Sequence, residues 1–210
     1  EREMSIGKKI GGAFAALLAL LQLVQISAGA FSENTGFSDV ASDAWYYEYV
    51  TDCAKFEIVA GYPDGTFKPD NPVTRGEFIC MLTKAGDERL IQLSGDGEPY
   101  DPNAQNGEYW ANPYFRALDK FHVFQGLNIS ATQESLSAVI SRYEMSVMVI
   151  NFRVSVMWES NVKTDSPETV ITDYASIPEA YRADVVQVYG KGIISGYGDG
   201  SFGGDGSLTR

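Results

Sequence analysis

Three arginines constrain this chain more than any other feature: Arg75, Arg142 and Arg210 stand 67 and 68 residues apart. The segments around them can be laid over one another. Val59-Ala60-Gly61-Tyr62-Pro63-Asp64-Gly65-Thr66-Phe67 matches Ile194-Ser195-Gly196-Tyr197-Gly198-Asp199-Gly200-Ser201-Phe202. In both copies 14 residues separate the glycine from the arginine of a Thr-Arg pair, Gly61 from Arg75 and Gly196 from Arg210. The middle copy is degenerate. Trp110 precedes Gly126 by 16 residues, as Trp45 precedes Gly61, and Ser141-Arg142-Tyr143-Glu144 matches Thr74-Arg75-Gly76-Glu77. A period of this length marks one supersecondary unit used several times, each copy burying its apolar face against its neighbours.

Within a unit the local chemistry is readable. Tyr46, Tyr49, Val50 and Cys53 fall at i, i+3, i+4 and i+7, an apolar helical stripe between Ala44 and Phe56. Gly61 then offers the left-handed residue that ends a helix, or the turn just after it. Pro63-Asp64-Gly65 predicts a turn: Pro sets φ, Asp bonds the nearby backbone and Gly takes positive φ. Thr74-x-x-Glu77 and Ser141-x-x-Glu144 are capping boxes. The helices they open bury Phe78, Met81, Leu82 and Ala85, and Met145, Met148 and Val149. The unit is therefore helix, turn-rich loop, capped helix, and the fold class is mostly α. Linkers run through Gly86–Pro99 and Glu159–Val170.

The first thirty residues read as a different kind of segment. Lys8-Lys9 is basic, Ile10 to Val24 is an almost unbroken apolar run, and Ala28-Gly29-Ala30 supplies small residues for cleavage. That order is a secretory signal peptide over 1–30, followed by a linker at 31–36. The apolar run is shorter than the roughly 20 residues a membrane-spanning helix needs. Glu1-Arg2-Glu3 precede the expected start at Met4 and read as an upstream remnant. The reading is an exported protein with no membrane insertion after signal removal.

Charge and residue counts exclude several functions. Sixteen basic residues against 28 acidic ones give a net charge of −12, which opposes nucleic-acid binding. One His and two Cys leave too few ligands for a zinc site built on those residues. No Ser/His/Asp set and no phosphate-cradling loop ahead of a Lys-Ser or Lys-Thr pair is assembled, so no catalytic residue, metal or cofactor is assigned. Cys53 and Cys80 lie on the two helices of one unit and read either as a disulfide or as core thiols. Gly196–Gly206 has the composition of a calcium loop without the alternating ligand spacing.

Phe37-Ser38-Asp39-Val40, Trp45, the Gly61–Phe67 loop, Pro69 and Thr74-Arg75-Gly76-Glu77-Phe78 together resemble the S-layer homology family. The resemblance spans nearly all of residues 37–210. It gives a first repeat at 37–85, a degenerate second at 100–152 and a third at 171–210 that stops one helix short. It implies a pseudo-three-fold spindle of helix-loop-helix repeats, and non-covalent anchoring of an exported protein to cell-wall polysaccharide, often an anionic pyruvylated secondary polymer. The expected location is the cell surface. The alternative is the targeting region of a polysaccharide-degrading enzyme whose catalytic domain lies beyond Arg210. Gly76 stands where the family has Ala, at a cost in helix propensity of up to about 1 kcal/mol.

Candidate ligand residues follow from chemistry and resemblance together. Arg75, Arg142 and Arg210 sit at capped helix starts, where free N–H groups and a guanidinium make an anion site. The competing role is an ion pair with a neighbouring repeat. Asp39 and Asp173 are acceptors for sugar hydroxyls or helix caps. Trp45 and Trp110 stack on a sugar face or fill the space between helices. Gly61, Gly126 and Gly196 set backbone conformation or let a ligand approach closely.

Overall fold

The computed structural model describes residues 36–86, 90 and 108–210. The expected signal segment at 1–30, the linker at 31–36 apart from its last residue, most of Gly86–Pro99 and the start of the second repeat lie outside the described residues. The described chain is mostly α: α1 Tyr47–Lys55, α2 Arg75–Gly86, α3 Asn112–Lys120, α4 Gln133–Ser137, α5 Arg142–Ser155 and α6 Glu179–Gly190, with 3-10 turns at Pro167–Thr169 and Tyr174–Ser176.

α1 and α3 are amphipathic, and the first helix of every unit ends in the same way. α1 buries Val50, Thr51 and Cys53, and α3 buries Phe115, Ala117 and Leu118. Tyr46 and Tyr49, expected in the α1 stripe, are only half-buried. After α1 the Glu57 N–H donates to Ala54 O at 3.0 Å and the Ile58 N–H to Cys53 O at 2.9 Å. The same pair recurs from His122 and Val123 after α3, and from Gly192 and Ile193 after α6. These are Schellman motifs, which need a left-handed residue at the first position past the cap. Glu57, His122 and Gly192 take it, with φ of 58°, 58° and 68°. The expectation that Gly61 serves this role is corrected: the helix stops earlier, and only the third copy uses glycine.

The second helices carry the core. Met145, Val147, Met148, Val149, Ile150 and Phe152 are all buried along α5, and Phe78, Ile79, Met81, Leu82 and Ala85 along α2. Both capping boxes form. Thr74 Oγ1 accepts from the Glu77 N–H while Glu77 Oε2 accepts from the Thr74 N–H, and Ser141 and Glu144 repeat the exchange.

The cap residues also join the units. Isolated antiparallel bridges link Thr74 to Val139, Ser141 to Ser207 and Thr209 to Pro72. Each pairs one of Thr74, Ser141 and Thr209, which hold matching places in the repeat, with the position two before another of the three. The Arg75, Arg142 and Arg210 amides donate to Ala138 O, Gly206 O and Asn71 O, each acceptor three residues before a cap. α2 packs on α3 and α4, and α5 packs on α6. Gly76 makes the first crossing possible: a Cβ there would lie 3.0 Å from Ala111 Cβ and 3.2 Å from Leu136 O. The propensity lost at Gly76 is therefore exchanged for close approach of α2 to its neighbours.

Candidate functional site

Arg210 reaches from the third unit into the loop of the first. Its guanidinium donates to Ala60 O at 2.7 Å and to the Tyr62 hydroxyl at 3.0 Å, and it lies over the Tyr62 and Phe67 rings at 4.8 and 5.0 Å. Arg142 makes the equivalent contacts from the second unit to the third. It donates to Phe202 O at 2.9 Å and Ser195 O at 3.4 Å, over Tyr197 and Phe202 at 5.0 and 4.9 Å. Arg75 reaches the second unit, donating to Ser135 O at 3.1 Å and pairing with Glu144 at 2.5 Å. Arg210 likewise meets Glu77 at 3.5 Å. Arg75 sits at N1 of α2 and Arg210 at the matching place in the repeat, and each meets the glutamate of another capping box. The structure thus places all three arginines between units: Arg142 and Arg210 read a neighbour's loop, and Arg75 meets α4 and Glu144 of α5.

The loops they read are rigid for local reasons. Asp64 Oδ1 accepts from the Thr66 hydroxyl and N–H, and Asp199 Oδ1 from the Ser201 hydroxyl and N–H; the hydroxyl bonds first, then the amide bonds, hold both carboxyls below the usual range. Gly65 and Gly200 take φ of 79° and 82°. Asp39 and Asp173 do not cap helices, because α1 starts at Tyr47 and the turn after Asp173 has no side-chain cap. Asp39 instead accepts from the Phe67 and Lys68 amides, both at 2.7 Å, and Asp173 from Phe202 and Gly203 at 2.7 and 2.9 Å. Gly61 is required by crowding, since a Cβ would lie 2.2 Å from the Phe37 ring, and Gly196 by the Ser201 carbonyl at 2.6 Å. Gly126 differs: its φ is 88° and nothing lies near it. The degenerate loop has lost the geometry that Gly61 and Gly196 share.

A cleft of about 190 Å³ opens between residues 58–84, Trp110 and Arg210. Glu77, Cys80, Met81 and Lys84 of α2 form one wall, Ile58–Ala60 a second, and Trp110 and Arg210 close it. The indole offers a flat apolar face and Lys84 a cationic donor, beside the Arg210–Glu77 pair. Such a set suits a sugar carrying a carboxylate. Of the candidate residues, Trp110 and Arg210 converge here. Arg75, Arg142, Asp39, Asp173, Gly61 and Gly196 hold loops and junctions and do not line the cleft. Trp45 is 45% exposed, which corrects its placement between helices, and it meets Tyr46 and Tyr49 edge-on. Glu77, Cys80, Met81 and Lys84 had a legible signal, the i, i+3, i+4, i+7 face of a capped helix.

Cys53 and Cys80 are thiols, and burial pushes Cys53 up to about 12. His122 is exposed at a helix end. Among the described residues no cluster of His, Cys, Asp and Glu is arranged to hold a metal, and no helix is long and apolar enough to cross a membrane.

The family model described as S-layer homology domain matches residues 36–79 and 170–210. The surface layer protein of Brevibacillus choshinensis is 25% identical over 169 residues, 78% of this chain and 13% of the relative. The middle cell wall protein of Brevibacillus brevis is 26% identical over 182 residues, 83% of this chain and 15% of the relative. An endoglucanase of a Bacillus species is 31% identical over 85 residues, 37% of this chain and 9% of the relative. The chain thus corresponds to a small part of the length of these relatives.

Proposed function

Residues 36–79 and 170–210 are S-layer homology domains, and from that premise we propose that this chain is a wall anchor, holding an exported protein non-covalently to a cell-wall secondary polysaccharide. One observation carries the reading: Trp110, Lys84 and Arg210, from three different units, converge on one recessed cleft. In this reading residues 37–85, 100–152 and 171–210 are three repeats closing as a pseudo-three-fold spindle. The evenly offset bridges, and an arginine from each segment reaching into the next, support it. The polymer is anionic, and its pyruvate ketal or uronate carboxylate meets Lys84 at the cleft, next to the Arg210–Glu77 pair. The protein's net charge of −12 opposes such a polymer at long range. Salt screens that repulsion beyond ~10 Å, and short charge-assisted bonds then decide binding.

The relatives named as surface-layer and cell-wall proteins support a location at the wall. The endoglucanase relative supports a second reading, in which the same kind of anchor serves a polysaccharide-degrading enzyme. In both, residues 36–210 bind and do not catalyse.

Co-sedimentation of the chain with purified sacculi tests this. Binding is expected to sacculi that keep their secondary polymer, and to be lost after acid extraction of that polymer. Equal binding to extracted peptidoglycan would overturn the reading.

A further inference from the structure

Trp158 is the most exposed large apolar side chain among the described residues, at 88%. It stands just past α5, and its backbone is left-handed, with φ of 58°. Both facts run against stability. The indole leaves a large apolar surface in water, and left-handed backbone is unfavourable for a bulky residue. Glu57 and His122 take the same conformation, but each is polar and is followed by a buried Ile58 or Val123. Trp158 is followed by Glu159, and its ring makes no hydrogen bond, ring contact or cation contact among the described residues. Strain kept at an exposed side chain marks a position held for something other than the fold.

Contacts on the far side of the ring hold that conformation. The Glu159 N–H donates to Arg153 O at 2.9 Å, and the Arg153 guanidinium donates back to Glu159 Oε2, at 2.9 Å from Nε and 2.6 Å from Nη2. Lys191, just past α6, donates to Ser160 O at 2.7 Å and lies 3.5 Å from Glu159. Val162 exchanges two bonds with the Gln187 amide of α6, both of 2.8 Å. A Cβ at Gly190 would lie 2.4 Å from Thr164 Oγ1, so this strap needs glycine there. The stretch after α5 is fastened to α6, and the indole is carried on fixed backbone with only its two side-chain torsions free.

Area and charge narrow what the ring fits. A Trp side chain offers about 150–250 Å². Val154 and Val162, four positions to either side, are 42% and 37% exposed and add little. A stable protein interface takes about 800 Å² from each partner. The ring instead matches one sugar, whose C–H face packs on the negative face of an indole. The charged side chains that flank it in sequence are paired, Glu159 with Arg153 and Lys191, and Lys163 with Asp165 at 3.0 Å. Such surroundings suit a neutral sugar better than a carboxylate.

The cleft and the ring are joined through one helix contact. Lys84 of the cleft is two residues from Gly86, where a Cβ would lie 2.2 Å from the Phe152 ring. The Phe152 carbonyl accepts the Val156 and Met157 amides at 2.9 and 3.3 Å, directly before Trp158.

We propose that Trp158 is a second polymer contact, a stacking platform for a neutral pyranose residue of the same secondary polysaccharide whose carboxylate the cleft takes. The inference rests on the wall-anchor reading. Two contacts on one polymer strengthen its hold, because the second forms within the complex made by the first.

Binding isotherms with polymer-bearing sacculi, run beside thermal melts, test this on the whole chain. Trp158→Gly removes the ring and relieves the left-handed backbone. It is expected to weaken binding about tenfold while raising the melting midpoint by roughly 1–4 °C. Trp158→Phe, which keeps a flat ring, is expected to bind within about threefold of the parent. Should Trp158→Gly not fold, Trp158→Ala takes its place, with the same loss of binding expected.

Parent-like binding by Trp158→Gly would overturn the inference, and so would Trp158→Phe binding no better than Trp158→Gly. Binding to acid-extracted sacculi that depends on Trp158 would also overturn it, because the ring would then belong to peptidoglycan. A parent chain that fails to bind polymer-bearing sacculi sinks the anchor reading itself. A parent that binds, with no change in Trp158→Gly, sinks only the platform.

Discussion

Asp39 and Asp173 each hold two loop amides with both carboxylate oxygens, across 28 to 30 residues of chain. No local pattern announces such a clamp, and the usual expectation for an Asp ahead of a helix is a cap. Asp184 is the opposite case, an acid placed where its charge is disfavoured. Burial on α6 raises its carboxyl from the ordinary value to about 6. Between pH 4 and pH 6 the folded protein then holds a proton that the unfolded chain has released, so this group lowers stability as pH rises through that window. Asp184→Asn is expected to raise the melting midpoint at pH 7 by a few degrees, after discounting for solvent screening, and to change it little at pH 4. Thermal melts at the two pH values check this. A larger gain at pH 4 than at pH 7 would contradict the sign.

Helices, capping boxes and turns were legible because each follows a rule that acts within a few residues. Thr74-x-x-Glu77 and Ser141-x-x-Glu144 form the boxes their spacing predicts. Pro63-Asp64-Gly65 makes its turn with Gly65 at positive φ. The helix ends were not legible, because the left-handed positions are occupied by Glu57 and His122, which carry no signature for that backbone. The buried apolar residues that follow, Ile58 and Val123, hold those conformations in place. Left-handed backbone costs a non-glycine residue about 1–2 kcal/mol, and glycine's extra unfolded freedom offsets roughly half of that. Glu57→Gly and His122→Gly are each expected to raise the melting midpoint by roughly 1–4 °C. Gly192→Ala at the equivalent place is expected to lower it by a similar amount. Scanning calorimetry distinguishes these, and destabilisation by both glycine substitutions would show that the motif is not under strain.

Across the whole molecule, units related by 67 or 68 residues meet through their cap segments, and arginine from one reads the loop of another. The repeat itself was plain in the sequence. Its geometry was not, because Arg75 finds Glu144 at a separation of 69 residues and Arg210 finds Ala60 at 150. A guanidinium at a helix start is chemically fit for an anionic sugar or for an internal carboxylate, and only the packing assigns it. That assignment moves the expected ligand contacts away from Arg75 and toward Lys84 and Trp110, on a face of α2 that the spacing of Glu77, Cys80, Met81 and Lys84 had drawn.

Calorimetric titration of a pyruvylated oligosaccharide into the chain and its variants reads that assignment most directly. Lys84→Ala removes a charge-assisted bond from the cleft and is expected to weaken binding about ten- to a hundredfold with its melting midpoint unchanged. Arg75→Ala, outside the cleft, is expected to bind as the parent does while melting several degrees lower, because it leaves Glu144 without its cation. Parent-like binding by Lys84→Ala together with lost binding by a folded Arg75→Ala would contradict the cleft as the site of attachment.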